Sequence, residues 1–116
     1  MVFNMNLQDN FFNMVRNNSK TLEVRLLDDK RKALKIGDTI IFSNSSNQMI
    51  PVTIISLNIY NNFEELLQNN NSVEIGLINS SPENTLKQLY SIYPKEKCCQ
   101  YKVLAIKFKK NRDTNL

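Results

Sequence analysis

The first twenty residues separate into two elements by the spacing of their apolar positions. Residues 2–7 alternate loosely and predict a short strand. Asp9 or Asn10 is a candidate N-cap for a helix that runs to about Asn17. One face of that helix carries apolar side chains at positions i, i+4, i+7 and i+8, namely Leu7, Phe11, Met14 and Val15. The asparagines that follow tolerate left-handed backbone, so they are suited to end the helix.

Three strands are predicted next, and the third carries an irregularity. Residues 21–26 alternate cleanly, with apolar side chains at the even positions. Residues 38–42 predict a second strand, which follows a turn at Gly37. In residues 50–59 the apolar positions change parity halfway along the strand. Such a change predicts a bulge or a strong bend, as found where a sheet curls toward a barrel.

The second half of the chain predicts two helices and a closing strand. Residues 62–68 form the first helix, and the second is capped by Ser80 or Ser81 and stops at Pro94. Residues 100–109 predict the last strand, whose apolar residues on both faces call for cover on both sides. The predicted order is β-α-β-β-β-α-α-β, an α+β arrangement.

Composition limits the classes of protein that remain. The chain has 116 residues, 41% of them apolar, which fits one domain over residues 1–116, with flexibility allowed for the last few residues. No apolar run approaches the roughly 20 residues that span a bilayer, and no signal-peptide pattern opens the chain. A cytoplasmic protein without a membrane partner is therefore expected.

The histidine and cysteine content excludes several kinds of catalytic and metal site. The chain has no histidine, which excludes Ser-His and Cys-His nucleophilic machinery and the commonest zinc ligand. Its two cysteines, Cys98 and Cys99, are adjacent, and neighbours in sequence rarely pair because the geometry is strained. They are a thiol pair or, as we favour, a partly buried pair without a role. We expect neither a metal nor a cofactor.

Charge is distributed unevenly along the chain. Residues 16–35 hold seven Lys/Arg and three acids, and residues 95–116 hold seven Lys/Arg and two acids. Residues 36–94 hold one lysine and five acids. If the two basic segments meet in the fold, they form a patch that attracts polyanions, nucleic acid first. A solvated basic face without a ligand is the alternative.

Three charged residues lie close together in the stretch "SKTLEVR". Glu23 and Arg25 should project from one face of a strand, about 6.6 Å apart, and Lys20 can swing toward them from the start of the strand. One interpretation is an ion-pair cluster that fixes the turn and the strand. The other is a polar pocket, in which Arg25 keeps Glu23 ionised and offers a planar fork to phosphate or a base edge.

The same residues resemble the ASCH domain, a small β-barrel family of the PUA-like superfamily. Its pattern is roughly Gly-x-Lys-x-x-Glu-x-Arg, then Gly-Asp and an apolar strand. The matching residues are Lys20, Glu23, Arg25, Gly37 and Asp38, while Asn18 stands at the position of the family's first glycine. The resemblance covers nearly the whole chain. It implies a PUA-like mixed β-barrel of about five to six strands with two to three flanking helices.

The resemblance also implies two functions. The first is binding of RNA or a modified nucleotide in a cleft beside the first strands. The second is an amidohydrolase that deacetylates N4-acetylcytidine or a related nucleoside, for which the implied catalytic residues are Lys20, Glu23 and Glu74. In that subgroup the position of Glu23 holds a threonine, so the proposed hydroxyl nucleophile is missing here. An adaptor for a protein partner is a third class, which would favour an exposed apolar patch.

From the sequence we predict that the protein binds RNA or a nucleotide. We expect it to be a monomer. Lys20, Glu23 and Arg25 should line the cleft. Further phosphate contacts are predicted from basic residues in both basic segments: Lys30, Arg31, Lys32, Lys107, Lys109, Lys110 and Arg112. Four tyrosines could stack on bases, namely Tyr60, Tyr90, Tyr93 and Tyr101, although Tyr90 and Tyr93 have the spacing of core residues.

Overall fold

The computed structural model describes residues 1–77 and 81–111, apart from the side chains of Cys98 and Cys99. The strands are β1 (Val2–Asn6), β2 (Leu22–Leu26), β3 (Thr39–Ser43), β4 (Met49–Tyr60) and β5 (Val103–Lys110). The helices are α1 (Asp9–Arg16), α2 (Phe63–Asn69), α3 (Ser72–Ile75), α4 (Pro82–Ile92) and α5 (Lys95–Gln100), with a 3-10 turn at Arg31–Ala33. None of the helices in these ranges is long and apolar enough to cross a membrane.

The strands form one mixed sheet in the order β1-β3-β4-β5-β2, so β1 and β2 are its edges. β1 runs parallel to β3, and the other neighbours are antiparallel. The pairing of β4 with β5 shifts register between Ile54 and Ser56, which confirms the bulge predicted from the change of parity. The sheet is thereby curled into a half-barrel, and the predicted α+β, PUA-like fold is confirmed.

Two apolar clusters hold the sheet, one on each face. The first includes Phe12 and Val15 of α1, packed on Ile40, Phe42 and the even positions of β5. The second lies between β2, β5 and the helices α2 and α4, and includes Leu22, Val24 and Leu26. β5 supplies residues to both clusters, as its two apolar faces predict. The strand that neighbours the charged motif is thus fixed from both sides.

Side chains cover the free edge of β2. The Lys20 ammonium donates to the Leu22 carbonyl at 2.8 Å, and the Tyr93 hydroxyl donates to the Val24 carbonyl at 3.2 Å. Across the opening between the two edge strands, Arg25 Nη2 donates to the Asn6 carbonyl of β1 at 3.0 Å. Such cover satisfies backbone groups that an edge strand otherwise presents for pairing with another chain.

Several details differ from the sequence-based prediction. The N-cap of α1 is Gln8, with no side-chain cap bond, so the prediction of Asp9 or Asn10 is wrong. Neither α3 nor α5 was predicted, because α3 is a single turn and α5 directly follows the predicted stop at Pro94. Ser81 caps α4 by accepting from the Asn84 amide. Ser80, Arg112, the C-terminal end and the cysteine side chains lie outside the described residues.

Candidate functional site

A left-handed turn carries Lys20 into the interior. Asn18 has φ of 66°, and the amides of Ser19 and Lys20 both donate to the Met14 carbonyl at the end of α1. The chain reverses there, and the Lys20 side chain is only 2% exposed. Its ammonium contacts three acceptors: the Leu22 carbonyl at 2.8 Å, the Ile75 carbonyl at 2.6 Å and Glu23 Oε1 at 3.1 Å. An ammonium has three protons, so each has a partner.

Glu23 lies between two cations. Its Oε2 accepts from Arg25 Nε at 2.9 Å and lies 2.8 Å from Arg25 Nη2, while its Oε1 faces Lys20. Burial raises the pKa of Glu23, but the charges and hydrogen bonds of Lys20 and then Arg25 outweigh that effect, so the pKa is lowered overall. Glu23 is therefore an ionised carboxylate that orients Arg25.

Arg25 is the member of this trio that reaches the surface. Its guanidinium uses Nε and Nη2 toward Glu23 and Asn6, and among the described residues no acceptor is found for Nη1. Burial alone would lower the pKa of Arg25, yet the adjacent Glu23 carboxylate raises it. Arg25 is thus a permanent cation with a fixed orientation and an amino group that faces away from its partners.

A pocket of about 360 Å³ lies beside Arg25, where β2 ends and β5 begins. Its wall includes two further cations, one carboxylate and two aromatic rings: Arg31, Lys97, Asp28, Tyr93 and Tyr101. Arg31 Nη1 bonds Asp28 Oδ2 at 2.8 Å, and the Arg31 amide bonds Asp28 Oδ1 at 3.0 Å. These bonds hold Arg31 at the rim while leaving part of its fork available. We call this cavity the Arg25 pocket.

The two basic segments of the sequence meet at this pocket. Arg25 and Arg31 come from the first segment, and Lys97 comes from the second. The aromatic rings arrive from the end of α4 and the residue after α5. The site therefore combines donors for an anion with flat apolar surface.

The structure brings together only part of the predicted set. Lys20 and Glu23 are buried behind Arg25 and are not among the residues that line the pocket, whereas Arg25 and Arg31 are. Glu74 is half-buried, and its hydrogen bonds within the described residues are made by its backbone: the Thr21 amide donates to its carbonyl, and its amide donates to the Asn71 carbonyl.

The other predicted cations lie elsewhere. Lys30 and Lys32 are exposed beside Arg31, and Lys32 pairs with Asp29 at 3.4 Å. Lys107 and Lys109 are exposed on β5, where Lys107 lies opposite Leu22 at the start of β2. That is the opposite end of β2 from the pocket, roughly 13 Å away at about 3.3 Å per residue. Lys110 Nζ bonds the Arg16 carbonyl at 2.6 Å.

The tyrosines divide between core and pocket. Tyr90 packs edge-on against Phe63, with ring centres 5.1 Å apart, and donates to the Glu64 carboxylate. Tyr60 packs against the second apolar cluster. Tyr93 contacts Phe63 in the core and also lines the pocket. Tyr101 lines the pocket as well.

Two features of the site, at Gly76 and Lys97, are not predicted from the sequence. Gly76, with φ of 99°, ends α3, and a Cβ there would lie 3.0 Å from Met14 Sδ and 3.1 Å from a Phe11 ring carbon. This close approach sets the Ile75 carbonyl against Lys20. The sequence places Lys97 in the second basic segment but does not distinguish it from the other lysines there. Its only sequence signal was the charge of that segment.

A second groove, of about 400 Å³, lies between α1 and α4. Its lining mixes apolar side chains with amides and hydroxyls, including Phe11, Met14, Gln88 and Ser91. None of the residues that line it is charged. Unlike this groove, the Arg25 pocket carries the cations needed to hold an anion.

Comparison with known proteins agrees with the fold and with the motif. The family model of the ASCH domain matches residues 5–112. The crystal structure of hypothetical protein PH0355 is similar, with a TM-score of 0.86 and 28% identity over 96% of this chain and 100% of that one. The solution structure of protein PF0455 from Pyrococcus furiosus has a TM-score of 0.71 and 28% identity over 97% and 100%. Among curated proteins, no match was found. Because the family match spans nearly the whole chain, this protein belongs to the ASCH domain family.

Proposed function

We propose that this protein binds RNA or a nucleotide, and that the Arg25 pocket is where it does so. The observation that carries the proposal is the meeting of both basic segments around one cavity with aromatic walls. Cations beside partly exposed rings suit an unpaired nucleotide, since its phosphate takes the charges and its base can stack on a ring. Membership of the ASCH family supports the same direction.

Arg25 is the central contact in this proposal. Its Nη1, which has no acceptor among the described residues, can donate to a phosphate oxygen, and a guanidinium that is already oriented loses less freedom on binding. Glu23 and the Asn6 carbonyl orient Arg25, and Lys20 in turn holds Glu23. Lys20 and Glu23 thus act as positioning residues for the ligand-binding arginine.

The geometry favours binding over hydrolysis. An amidohydrolase would need Lys20 to meet its substrate, but the three protons of its ammonium already have acceptors within 3.1 Å. The Glu74 side chain has no described contact with Lys20 or Glu23, and Glu23 stands where a hydroxyl nucleophile is expected. A monomeric state and a cytoplasmic location stay predictions.

A salt titration of RNA binding tests the proposal. The affinity of a short single-stranded RNA, followed by fluorescence anisotropy, should fall steeply with salt concentration. The double variant Arg31→Gln/Lys97→Gln should weaken binding and reduce the slope of log affinity against log salt by about 0.7 for each phosphate that is no longer neutralised. Absence of RNA binding by the wild type at low salt would contradict the proposal.

The matched control is Lys107→Gln/Lys109→Gln. It removes the same number of charges from the far end of β5, where Lys107 lies opposite the start of β2. If the control reduces affinity and slope as much as the pocket variant does, the pocket is not the site, and the binding is due either to net charge or to Lys107 and Lys109 themselves. The same comparison tests whether Lys107 and Lys109 contact RNA, as the sequence predicts.

A further inference from the structure

We infer that the Arg25 pocket recognises a phosphomonoester carried by one nucleotide, such as the phosphorylated end of an RNA strand or a free nucleoside monophosphate. This inference rests on the proposed function and narrows it. A phosphodiester within a strand carries one negative charge, whereas a monoester carries about 1.5 to 2 near neutral pH. The size, net charge and hydrogen-bond donors of the pocket suit the monoester better than the diester.

Size is the first argument. About 360 Å³ falls near the lower end of the range of cavities that enclose a small molecule, roughly 300–1,000 Å³. One nucleotide fits a space of that size, while a double helix does not. The pocket is therefore sized for one nucleotide, whether that nucleotide is free or stands at the end of a strand.

Charge balance is the second argument. The pocket and the two residues behind Arg25 hold four cations, Lys20, Arg25, Arg31 and Lys97, against two carboxylates, Glu23 and Asp28. Two positive charges remain. A dianionic phosphomonoester would neutralise them, whereas a phosphodiester would leave one uncompensated.

The third argument is the supply of donors. Nη1 of Arg25 has no acceptor among the residues that the structure describes, and the bonds described for the Arg31 side chain use Nη1 alone. Burial raises the pKa of Asp28, but the hydrogen bonds and charge of Arg31 outweigh that effect and keep the carboxylate ionised. Arg31 therefore keeps a fixed place at the rim with donors to spare. Lys97 adds an exposed ammonium.

Together these groups can surround the extra oxygen of a monoester. The unengaged Nη1 of Arg25, the fork of Arg31 and the Lys97 ammonium line the cavity, and Tyr93 and Tyr101 supply the surface for the attached base. A strand with an unphosphorylated end lacks the group for which these donors are arranged.

Competition and direct binding test the inference with one RNA sequence in three forms. The oligonucleotide carries a 5′-phosphate, a 3′-phosphate or hydroxyls at both ends, and its affinity is measured by isothermal titration calorimetry. One phosphorylated form should bind about tenfold or more tightly than the unphosphorylated form, the worth of one charge-assisted hydrogen bond. A nucleoside monophosphate should displace the phosphorylated RNA at a lower concentration than the nucleoside does. If the free nucleotide displaces the RNA at a concentration similar to that of the RNA, one nucleotide is sufficient for binding.

The variants Arg31→Gln and Lys97→Gln should each reduce the preference for the phosphorylated form. Lys109→Gln removes an equal charge at the far end of β5 and should leave the preference unchanged. Equal affinity of all three RNA forms would overturn the inference while leaving the proposed function in place. Failure of every form to bind would overturn both. A thermal melt of each variant separates loss of binding from loss of fold, and Lys97 is exposed, so its substitution should not unfold the protein.

Discussion

Lys20 and Glu23 form an ion pair, with 3.1 Å between Nζ and Oε1, in which the two side chains are 2% and 8% exposed. A pair this far from solvent is costly to create, and removing one partner leaves the other charge buried alone. The pair also links the end of α3 to Arg25, because Lys20 donates to the Ile75 carbonyl and Glu23 accepts from Arg25. Its role is therefore to fix the geometry of the pocket.

Replacing Lys20 with methionine should destabilise the protein strongly. The apolar chain keeps most of the volume but strands the Glu23 carboxylate and leaves the Leu22 and Ile75 carbonyls without this donor. The expected loss in the free energy of unfolding is about 3–5 kcal/mol, measured by urea denaturation.

The control for this substitution is Lys87→Met on the exposed side of α4. It should change the free energy of unfolding by no more than about 0.5 kcal/mol. If Lys20→Met lowers the free energy of unfolding no more than Lys87→Met does, the buried ion pair and hydrogen bonds of Lys20 do not stabilise the fold as described.

The pH dependence of stability should report the lowered pKa of Glu23. A carboxyl whose pKa is lower in the folded state than its ordinary 4.5 stabilises the fold above that value, and the contribution is lost as pH falls through the folded pKa. Stability should therefore decrease from about pH 4.5 downward. Glu23→Gln should be less stable than the wild type at neutral pH and should show a shallower decrease in acid.

Urea denaturation at a series of pH values measures this difference. Glu83→Gln, which removes an exposed carboxylate from the first turn of α4, is the control for the general effect of charge. Parallel stability profiles for the wild type and Glu23→Gln would contradict the described environment of Glu23.

Gly76→Ala should cost more stability than Gly37→Ala. Both glycines have positive φ, 99° and 94°, so alanine is strained at either position by about 1–2 kcal/mol. Only at Gly76 does the added Cβ also meet other atoms, Met14 Sδ at 3.0 Å and the Phe11 ring at 3.1 Å, whereas nothing lies within 4 Å at Gly37.

The difference between the two alanine variants in the free energy of unfolding isolates the close approach of α3 to α1. An equal loss at both positions would mean that Met14 and Phe11 yield without cost. In that case the position of the Ile75 carbonyl would not depend on tight packing.

Arg25→Lys keeps the charge but should still weaken RNA binding by about tenfold, the worth of one hydrogen bond to a charged group. A single ammonium cannot reach Glu23, the Asn6 carbonyl and a ligand in the planar arrangement that arginine provides. Anisotropy titration at fixed salt measures the loss. Arg16→Lys, an exposed arginine on α1, should bind as the wild type does, and equal binding by Arg25→Lys would show that only its charge matters.

Local patterns were sufficient to predict most of the fold. The alternation of β2, the bulge in β4 and the left-handed residue at Asn18 each follow from rules that act over a few residues. The two-sided burial of β5 was also readable, because both of its faces are apolar.

The site was harder to predict because its contacts are long-range. Lys20 is buried through the Ile75 carbonyl, 55 residues away, and that contact depends on a helix of one turn that no periodicity reveals. The pocket joins the end of β2 to side chains near Lys97, and sequence charge alone does not show which lysines converge. Tyr93 has the spacing of a core residue and also lines the pocket. A prediction that assigns it to only one of these two places is therefore incomplete.

The central claim is that ligand binding takes place at the Arg25 pocket while Lys20 and Glu23 remain buried behind it. The most direct test is a nuclear magnetic resonance titration of the protein with a short 5′-phosphorylated single-stranded RNA, following backbone amides and arginine Nε–H signals. We predict that the largest changes fall on Arg25, Arg31, Lys97 and the two pocket tyrosines. Changes concentrated at Lys107 and Lys109, with the signals of the pocket unmoved, would contradict it.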